Sequence, residues 1–245
     1  MRIFKDVCYN AAALDLYLPD TEDFDLFLYF HGGGIVEGDK VEAGTPSISE
    51  YLSERGIGFA SANYRMYPEA KYPDFLEDAR DAVAWIKNNI GKYGKCKRLF
   101  VGGSSAGGYI SMMLCFNPEL LAGRGMSAND LSGFIHDAGQ PTAHFNVLKE
   151  LGIDPRRVIV DEHSPLYYVG LADSYPPMLF IVSDGDIPAR YEQTLLMKAT
   201  LDSFGHKNTE LKLMHGTHVS YLKEYDAEGN NVFATVVADF INRAE

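Results

Sequence analysis

Two kinds of hydrophobic pattern alternate along this chain of 245 residues. Short apolar runs rich in Val, Ile, Phe and Tyr predict strands, and the amphipathic stretches between them predict helices. This alternation is typical of an α/β fold, in which helices cover a mostly parallel sheet. The predicted strands are residues 25–30, 56–64, 97–103, 132–138, 177–183 and 210–215.

Three of the helices can be placed from their end signals. One covers residues 73–91, with Pro at its first position, apolar residues at every third or fourth position and Gly at its end. A second follows Ser47, whose hydroxyl can cap the helix while Glu50 completes a capping box. A third runs over residues 232–243. The sequence has no internal repeat, low-complexity tract or linker, so we expect a single domain over residues 1–245.

Composition and charge exclude several classes of protein. With 46% hydrophobic and 23% charged residues, the chain has the composition of an ordinary globular protein. Its formal net charge of −12 and its lack of clustered Lys and Arg argue against a nucleic-acid partner. No apolar run approaches the length of a membrane span, and the charged N-terminal sequence does not resemble a signal peptide. We therefore expect no membrane partner.

The three cysteines, Cys8, Cys96 and Cys115, are isolated from one another in the sequence. Their odd number and the absence of a CxxC motif argue against a disulfide framework or a zinc site. A cytoplasmic location suits this cysteine content best.

The sequence GGSSAGG, residues 102–108, follows the apolar run of a predicted strand. It contains the pattern G-x-S-x-G between a strand and a helix, which makes Ser105 the candidate nucleophile. The turn around such a serine is sharp, and Gly103 and Gly107 avoid collisions with the strand and the helix. The helix that begins at Ala106 directs its free N–H groups toward an anion beside Ser105.

A glycine-rich turn that cradles phosphate is the alternative interpretation. A P-loop would require a Lys after the glycines, and none follows here. A dinucleotide-binding motif would normally lie near the first strand of its unit. The nucleophile interpretation is therefore favoured, and a second motif supports it.

That second motif is HGGG, residues 31–34, directly after the first predicted strand. A serine hydrolase needs N–H donors where the oxygen of the tetrahedral intermediate forms, and glycines let the backbone approach the substrate closely. The motif precedes the candidate nucleophile at the position expected of an oxyanion loop. A merely flexible loop is the alternative.

With these motifs the chain resembles the α/β-hydrolase esterases that carry an HGGG loop, a group that includes hormone-sensitive-lipase-like carboxylesterases, small carbohydrate esterases and kynurenine formamidases. The sequence NYRMYPEAKYPDFLEDARDAVAWI, residues 63–86, adds to the resemblance. The resemblance implies that the N–H groups of Gly33, Gly34 and Ala106 form the oxyanion hole and that His31 braces the loop. It implies structural roles for Tyr64, Arg65, Pro68, Glu69, Pro73 and Asp78.

A catalytic triad on this fold also needs an acid and then a histidine, in that chain order after the serine. Of the seven histidines, His215 and His218 follow the last predicted strand closely enough to serve. The resemblance favours His218, because the family places its histidine in the loop beyond that strand. We expect His215 to point into packing or solvent. No HExxH motif accompanies the pair, so no metal site is expected.

Two aspartates, Asp184 and Asp186, follow the strand predicted at residues 177–183. The turn typical of the family favours Asp186 as the acid that orients His218. Asp184 then becomes a loop or helix-capping carboxylate. The expected mechanism is an attack by Ser105 on an acyl carbonyl and hydrolysis of an acyl-enzyme, with no cofactor.

The substrate depends on what covers this site. Lipase-like relatives carry an N-terminal helical cap, which we do not expect here because the chain begins almost at strand material. Residues 139–176 are therefore expected to form a lid or specificity element. Phe145, Tyr167 and Tyr168 in this segment would stack on a sugar or aryl group, or else pack in the core.

Three functions follow from these expectations. The first is a serine carboxylesterase for short acyl esters, including acetyl or feruloyl esters of carbohydrates. The second is an arylformamidase or another amide hydrolase, and the third is a non-catalytic binding module. A small-molecule ester is the expected partner, and a homo-oligomer is left open.

Overall fold

The computed structural model describes residues 1–10, 12–42 and 44–244. Its eight strands form one sheet in the order β1-β2-β4-β3-β5-β6-β7-β8, in which β2 runs antiparallel to its neighbours β1 and β4 and the strands from β3 to β8 run parallel to one another. The strands are β1 (Arg2–Tyr9), β2 (Ala12–Leu18), β3 (Asp23–Phe30), β4 (Ile57–Ala62), β5 (Lys95–Ser104), β6 (Gly133–Asp137), β7 (Met178–Gly185) and β8 (Thr209–Thr217). The predicted α/β architecture is confirmed.

Helices cover both faces of the sheet. The described residues form α1 (Thr45–Glu54), α2 (Asp74–Asn89), α3 (Ala106–Phe116), α4 (Pro118–Ala122), α5 (Phe145–Glu150), α6 (Arg190–Ser203) and α7 (Val232–Arg243). Short 3₁₀ turns cover Ile90–Lys92, Ala128–Asp130, Pro165–Tyr168 and Ser220–Leu222. Residues of α2, α3 and α6 pack in the hydrophobic core on one face, and residues of α1 and α7 pack in the core on the other.

The central strands are apolar at successive positions because both of their faces are buried. In β3, Leu26 and Leu28 belong to the core beneath α2 and α3, whereas Phe27 and Tyr29 belong to the core beneath α1 and α7. Side chains of a strand alternate between the two faces of its sheet, so a strand covered on both sides needs apolar residues at every position. This is why the sequence predicted the parallel strands well.

The first two strands were missed. Their sequences are interrupted by charges, of which the most informative is Asp15 in β2, a fully buried residue. Its carboxylate pairs with the amino groups of Lys5 at 2.9 Å and Lys40 at 3.2 Å. A buried charge is tolerated when it is paired in this way. Because one partner comes from a loop beyond β3, the local sequence does not reveal that Asp15 is buried.

The predicted start of the second helix is wrong by three residues. Helix α1 begins at Thr45, after Gly44, and no side chain caps it. Ser47 lies inside the first turn, where its hydroxyl donates to the Gly44 carbonyl at 3.1 Å, so it is not a cap with Glu50 as its partner. Pro46 explains the earlier start, because proline fits the first turn, whose N–H groups lack helical acceptors.

The parallel strands β5, β6 and β7 end side by side, so the residues that follow them meet at one edge of the sheet. In open α/β sheets, ligands bind at this carboxyl edge. Across the described residues, no helix combines the length and the apolarity that crossing a membrane requires.

Candidate active site

Ser105 lies between β5 and α3 in a conformation that L-residues rarely adopt, with φ of 55° and ψ of −111°. Its N–H donates to the carbonyl of Asp137 at the end of β6, at 2.8 Å. Such backbone conformations persist only where the surroundings hold them, and they are frequent at functional sites. The turn presents the Ser105 hydroxyl to the loop that follows β8.

The glycines on either side of Ser105 are required by close backbone contacts. A Cβ on Gly103 would lie 2.5 Å from the carbonyl oxygen of Phe30 and 2.6 Å from the carbonyl carbon of Gly107. A Cβ on Gly107 would overlap the same Phe30 oxygen. The collisions expected from the sequence are therefore present, and they involve β3 as well as α3.

His218 connects Ser105 to Asp186. Its Nε2 lies 2.8 Å from the Oγ of Ser105, and its Nδ1 lies 2.6 Å from the Oδ1 of Asp186. The Asp186 side chain is only 1% exposed, and its Oδ2 accepts a hydrogen bond from the Ser183 hydroxyl at 3.0 Å. Burial by itself would raise the pKa of Asp186, but the hydrogen bond with His218 and the imidazolium charge hold it below its usual value.

The alternative residues, Asp184 and His215, pair with each other at the surface. His215 is 92% exposed, and its Nδ1 lies 2.6 Å from the Oδ2 of Asp184. The second oxygen of Asp184 accepts the N–H of Gly216 at 3.1 Å. His215 therefore points to solvent, which was one of its two expected orientations, and Asp184 is a loop carboxylate.

The HGGG residues 31–34 form a loop that is held mainly through its carbonyl groups. The Gly32 carbonyl is hydrogen-bonded to His31 Nδ1 at 2.7 Å, and the Gly33 carbonyl accepts the N–H groups of Val36 and Glu37 at 3.0 and 3.1 Å. In a trans peptide the N–H points away from the C=O, so the N–H groups of Gly33 and Gly34 face the other way.

The three N–H groups named from the resemblance are free within the described chain. Those of Gly33, Gly34 and Ala106 donate to no described residue. The loop lies against the nucleophile turn, since a Cβ on Gly32 would be 3.5 Å from the Cβ of Ser105. Free N–H groups beside a nucleophile are the kind of donor that receives an oxyanion.

His31 itself is buried and stacks on the Tyr64 ring, with centroids 4.4 Å apart and planes at 15°. The Tyr64 hydroxyl donates to the His31 carbonyl at 2.9 Å. Burial lowers the pKa of His31, which favours the neutral imidazole. These contacts suit the bracing role that the resemblance implied. Nearby, the guanidinium of Arg65 binds both oxygens of the buried Asp78 at 2.8 Å, which ties this segment to α2.

A cavity of about 490 Å³ opens beside Ser105 and His218. Its remaining walls come from the loop after β3 and the loop after β8. Asp39, Glu42 and Lys223 give these walls charge, whereas the apolar contribution comes from Val41, Val219 and Leu222. Glu42 also accepts the N–H of Gly32 at 3.0 Å, and burial raises the pKa of its carboxyl group.

Residues 139–176 contribute nothing to the described lining of this cavity. Tyr167 is exposed, and the Tyr168 hydroxyl donates to the Glu162 carbonyl at 2.8 Å. Phe145 stacks on His144, with centroids 4.3 Å apart. The lid role of the segment stays a prediction.

Sequence reasoning missed Asp137, a buried carboxyl group at the end of β6. It accepts hydrogen bonds from the hydroxyls of Ser104, at 2.5 Å, and Tyr221. Burial raises the pKa of Asp137 to about 7. A signal was available, because Asp137 lies one residue before the end of the strand predicted at residues 132–138, which is the next predicted strand after the one that leads to Ser105.

The ligand atoms of Asp161, Glu162 and His163 lie within 4.8 Å of one another, so this group could hold a metal. His163 Nδ1 and Asp161 Oδ1 already lie 3.2 Å apart, within hydrogen-bonding distance. The three residues are consecutive in a loop outside the cavity beside Ser105.

The chain is similar to known proteins in part of its sequence and in its overall fold. Residues 14–124 match the family model BD-FAE. Over 117 residues the chain is 32% identical to probable isoprenylcysteine alpha-carbonyl methylesterase ICMEL2 of Arabidopsis thaliana, covering 46% of this chain and 27% of that protein. Over 97 residues it is 34% identical to esterase LipI of Mycobacterium tuberculosis, covering 39% and 30%. The matches thus span less than a third of these two relatives.

Solved structures resemble the whole chain. A truncated carbohydrate esterase from gut microbiota has a TM-score of 0.81 at 20% identity, over 100% of this chain and 96% of that one. A thermophilic esterase from Thermogutta terrifontis, with butyrate bound, has a TM-score of 0.74 at 19% identity, over 98% and 91%. At these identities the likeness shows the fold. The chain therefore has the α/β-hydrolase fold, and its HGGG and GGSSAGG motifs both lie within the residues that match the family model BD-FAE.

Proposed function

We propose that this chain is a serine carboxylesterase that hydrolyses short-chain acyl esters of polar alcohols. One observation carries the proposal: hydrogen-bonding distances of 2.8 and 2.6 Å join Ser105 to His218 and His218 to Asp186, beside the free N–H groups of the HGGG loop. A serine hydroxyl, an imidazole and an orienting carboxylate in this order are the groups that acyl transfer needs.

The reaction begins when the Oγ of Ser105 attacks the ester carbonyl and His218 Nε2 takes the serine proton. Asp186 accepts the Nδ1–H of His218, which fixes the tautomer and stabilises the imidazolium. The carbonyl oxygen becomes negatively charged and accepts hydrogen bonds from the oxyanion donors, the N–H groups of Gly33, Gly34 and Ala106. His218 then gives its proton to the leaving alcohol.

The acyl-enzyme is hydrolysed by the same groups. Water attacks the acyl carbon while His218 takes a proton from it, and the oxyanion forms at the same N–H donors. Collapse of this second intermediate returns the proton to Ser105 and releases the carboxylic acid. The steps use only groups of the chain and water.

The cavity supports short acyl groups and a polar alcohol. Its volume is about 490 Å³, and Asp39, Glu42 and Lys223 interrupt its apolar wall. Extended alkyl chains gain binding energy only along continuous apolar surface. The carboxylates can accept hydrogen bonds from the hydroxyl groups of a sugar.

The names of similar proteins support the same substrate class. One solved neighbour is a carbohydrate esterase from gut microbiota, and the Thermogutta terrifontis esterase was solved with butyrate and with propionate. We therefore propose acetyl or feruloyl esters of carbohydrates as candidate substrates.

The test is hydrolysis of p-nitrophenyl acetate, acetylated xylo-oligosaccharides, a feruloyl ester and N-formylkynurenine by the purified chain and by Ser105→Ala. We expect ester hydrolysis that Ser105→Ala abolishes. Hydrolysis of N-formylkynurenine without any ester hydrolysis would identify an arylformamidase instead. Failure on every substrate, by a folded protein, would contradict the proposal and favour a binding module.

A further inference from the structure

One hydrogen bond to the HGGG loop comes from a distant part of the chain. The side-chain Nδ2 of Asn146, in α5, donates to the carbonyl oxygen of Gly34 at 2.6 Å, across 112 positions of sequence. The neighbouring Phe145 ring lies beside this glycine, since a Cβ built on Gly34 would be 3.3 Å from its Cζ. Residues 139–176, expected to form a lid, thus contact the loop that carries the proposed oxyanion donors.

The contact falls on the Gly34–Ile35 peptide, whose carbonyl accepts no backbone hydrogen bond from the described residues. The Gly32 carbonyl is hydrogen-bonded to His31, and the Gly33 carbonyl accepts the N–H groups of Val36 and Glu37. Gly34 has a φ of +64°, and glycine moves easily between backbone conformations. The hydrogen bond from Asn146 fixes the Gly34–Ile35 peptide, which directly follows the peptide that carries the Gly34 N–H, so it holds Gly34 from its C-terminal side.

Helix α5 is held at both ends by contacts with other parts of the chain, so the position of Asn146 is fixed. The N–H of Asn146 donates to His144 Nδ1 at 3.3 Å, and the buried His144 ring packs 5.1 Å from the ring of Tyr109 in α3. At the other end, Glu150 accepts hydrogen bonds from the Tyr67 hydroxyl at 2.6 Å and the Tyr72 N–H at 3.0 Å. Through Asn146, these contacts connect the HGGG loop to the packed core around α3.

We propose that Asn146 is a positioning residue for the oxyanion hole, and that residues 139–176 act on the rate of acyl transfer by supporting the HGGG loop. This inference rests on the proposed esterase function. Donors stabilise an oxyanion only when they are already in place, because reorganisation at the moment of reaction removes the benefit. A loose Gly34 should therefore weaken binding of the transition state more than binding of the ester.

The expected effect is a lower kcat with little change in KM. Removal of a whole oxyanion donor lowers kcat about 10²- to 10³-fold, so a misplaced donor should lower it about tenfold or more. Asn146→Ala removes the hydrogen bond. Asn146→Asp keeps the side-chain shape but directs an oxygen without a hydrogen at the Gly34 carbonyl, so its kcat should fall further.

The experiment measures kcat and KM on p-nitrophenyl acetate for the full chain, both variants and Lys149→Ala. Lys149 is exposed on the same helix, which makes its variant the matched control. The second readout is inhibition by a trifluoromethyl ketone, whose serine adduct carries an oxyanion. Its inhibition constant should rise by the same factor as kcat/KM falls in each Asn146 variant, while Lys149→Ala stays at wild-type values.

Each outcome decides between the two proposals. An active wild type with unchanged kcat in Asn146→Ala would overturn the positioning role and leave the esterase function intact. A loss confined to KM or to the melting temperature, with ketone inhibition unchanged, would show a merely structural role and also overturn it. An inactive wild type would instead contradict the proposed function.

Discussion

The Nε2 of His218 lies 2.8 Å from the Oγ of Ser105, although the two residues are 113 positions apart in the chain. A second set of hydrogen bonds links the chain segments that carry these two residues. Tyr221, three residues after His218, donates its hydroxyl to Asp137, which also accepts the hydroxyl of Ser104. The buried carboxyl group thus joins the histidine loop to the nucleophile turn.

The two adjacent serines should respond differently to substitution. Ser105→Ala should abolish ester hydrolysis with little loss of stability, because its hydroxyl faces His218. Ser104→Ala should keep measurable turnover, because the Ser104 hydroxyl faces Asp137. Steady-state kinetics together with thermal melting of both variants measure this. An active Ser105 variant beside an inactive Ser104 variant would show that the register of the turn is wrong.

The two aspartates offer a similar matched pair. Asp186→Asn should lower kcat by several orders of magnitude, because the amide cannot accept the Nδ1–H of His218 as a carboxylate does. Asp184→Asn should have a small effect, since its histidine partner is 92% exposed. The variants His218→Ala and His215→Ala should repeat this contrast. Equally mild losses for both aspartate variants would mean that neither completes a triad.

The chain-length preference tests the shape and polarity of the cavity. We expect kcat/KM to be highest for acetyl through butyryl esters and to fall toward decanoyl, because charged groups interrupt the cavity wall. Each added CH₂ would increase binding by about 0.8 kcal/mol only if apolar surface received it. A series of p-nitrophenyl esters measures this. A steady rise toward decanoate, or a jump in rate above the solubility limit, would indicate a lipase.

Asp137 should make stability depend on pH. Its pKa in the folded protein is raised by burial from 3.8 to about 7, so between these values the folded chain holds a proton that the unfolded chain has lost. The group therefore lowers the free energy of unfolding as pH rises from about 4 to 7, and its effect is constant above that. In Asp137→Asn this contribution is absent.

Urea unfolding at several pH values measures the difference between wild type and Asp137→Asn. The stability of the wild type relative to the variant should decline from pH 4.5 to 7 and then level. Parallel stability curves would contradict a raised pKa for Asp137. The comparison cancels the titration of other groups, since both proteins share them.

Features that depend on nearby residues were predictable from the sequence. The parallel strands are apolar at successive positions because both faces of the sheet are buried, and the end signals of α2 lie within its own sequence. Gly103 and Gly107 identify the turn around Ser105, because only glycine avoids the collision with Phe30. The HGGG motif identifies its loop for a similar reason.

Other features depend on residues far apart, and only the tertiary structure decided them. The charge of Asp15 argues against a buried strand at β2 when only the sequence is known. The tertiary structure shows that Lys5 and Lys40 pair with this charge. His215 and His218 differ by three positions, yet one faces solvent and the other faces Ser105, because the path of the loop after β8 sets their directions.

The same is true of the groups around the site. Asp137 and Asn146 acquire their contacts with Ser104 and Gly34 only when the chain brings together segments 33 and 112 positions apart. The sequence by itself determined the parallel strands from β3 to β8, the nucleophile turn and the glycine loop, because burial and local steric contacts dictate which residues can stand there. The tertiary structure decided which side chains meet there, since those partners are set by how the strands are ordered in the sheet.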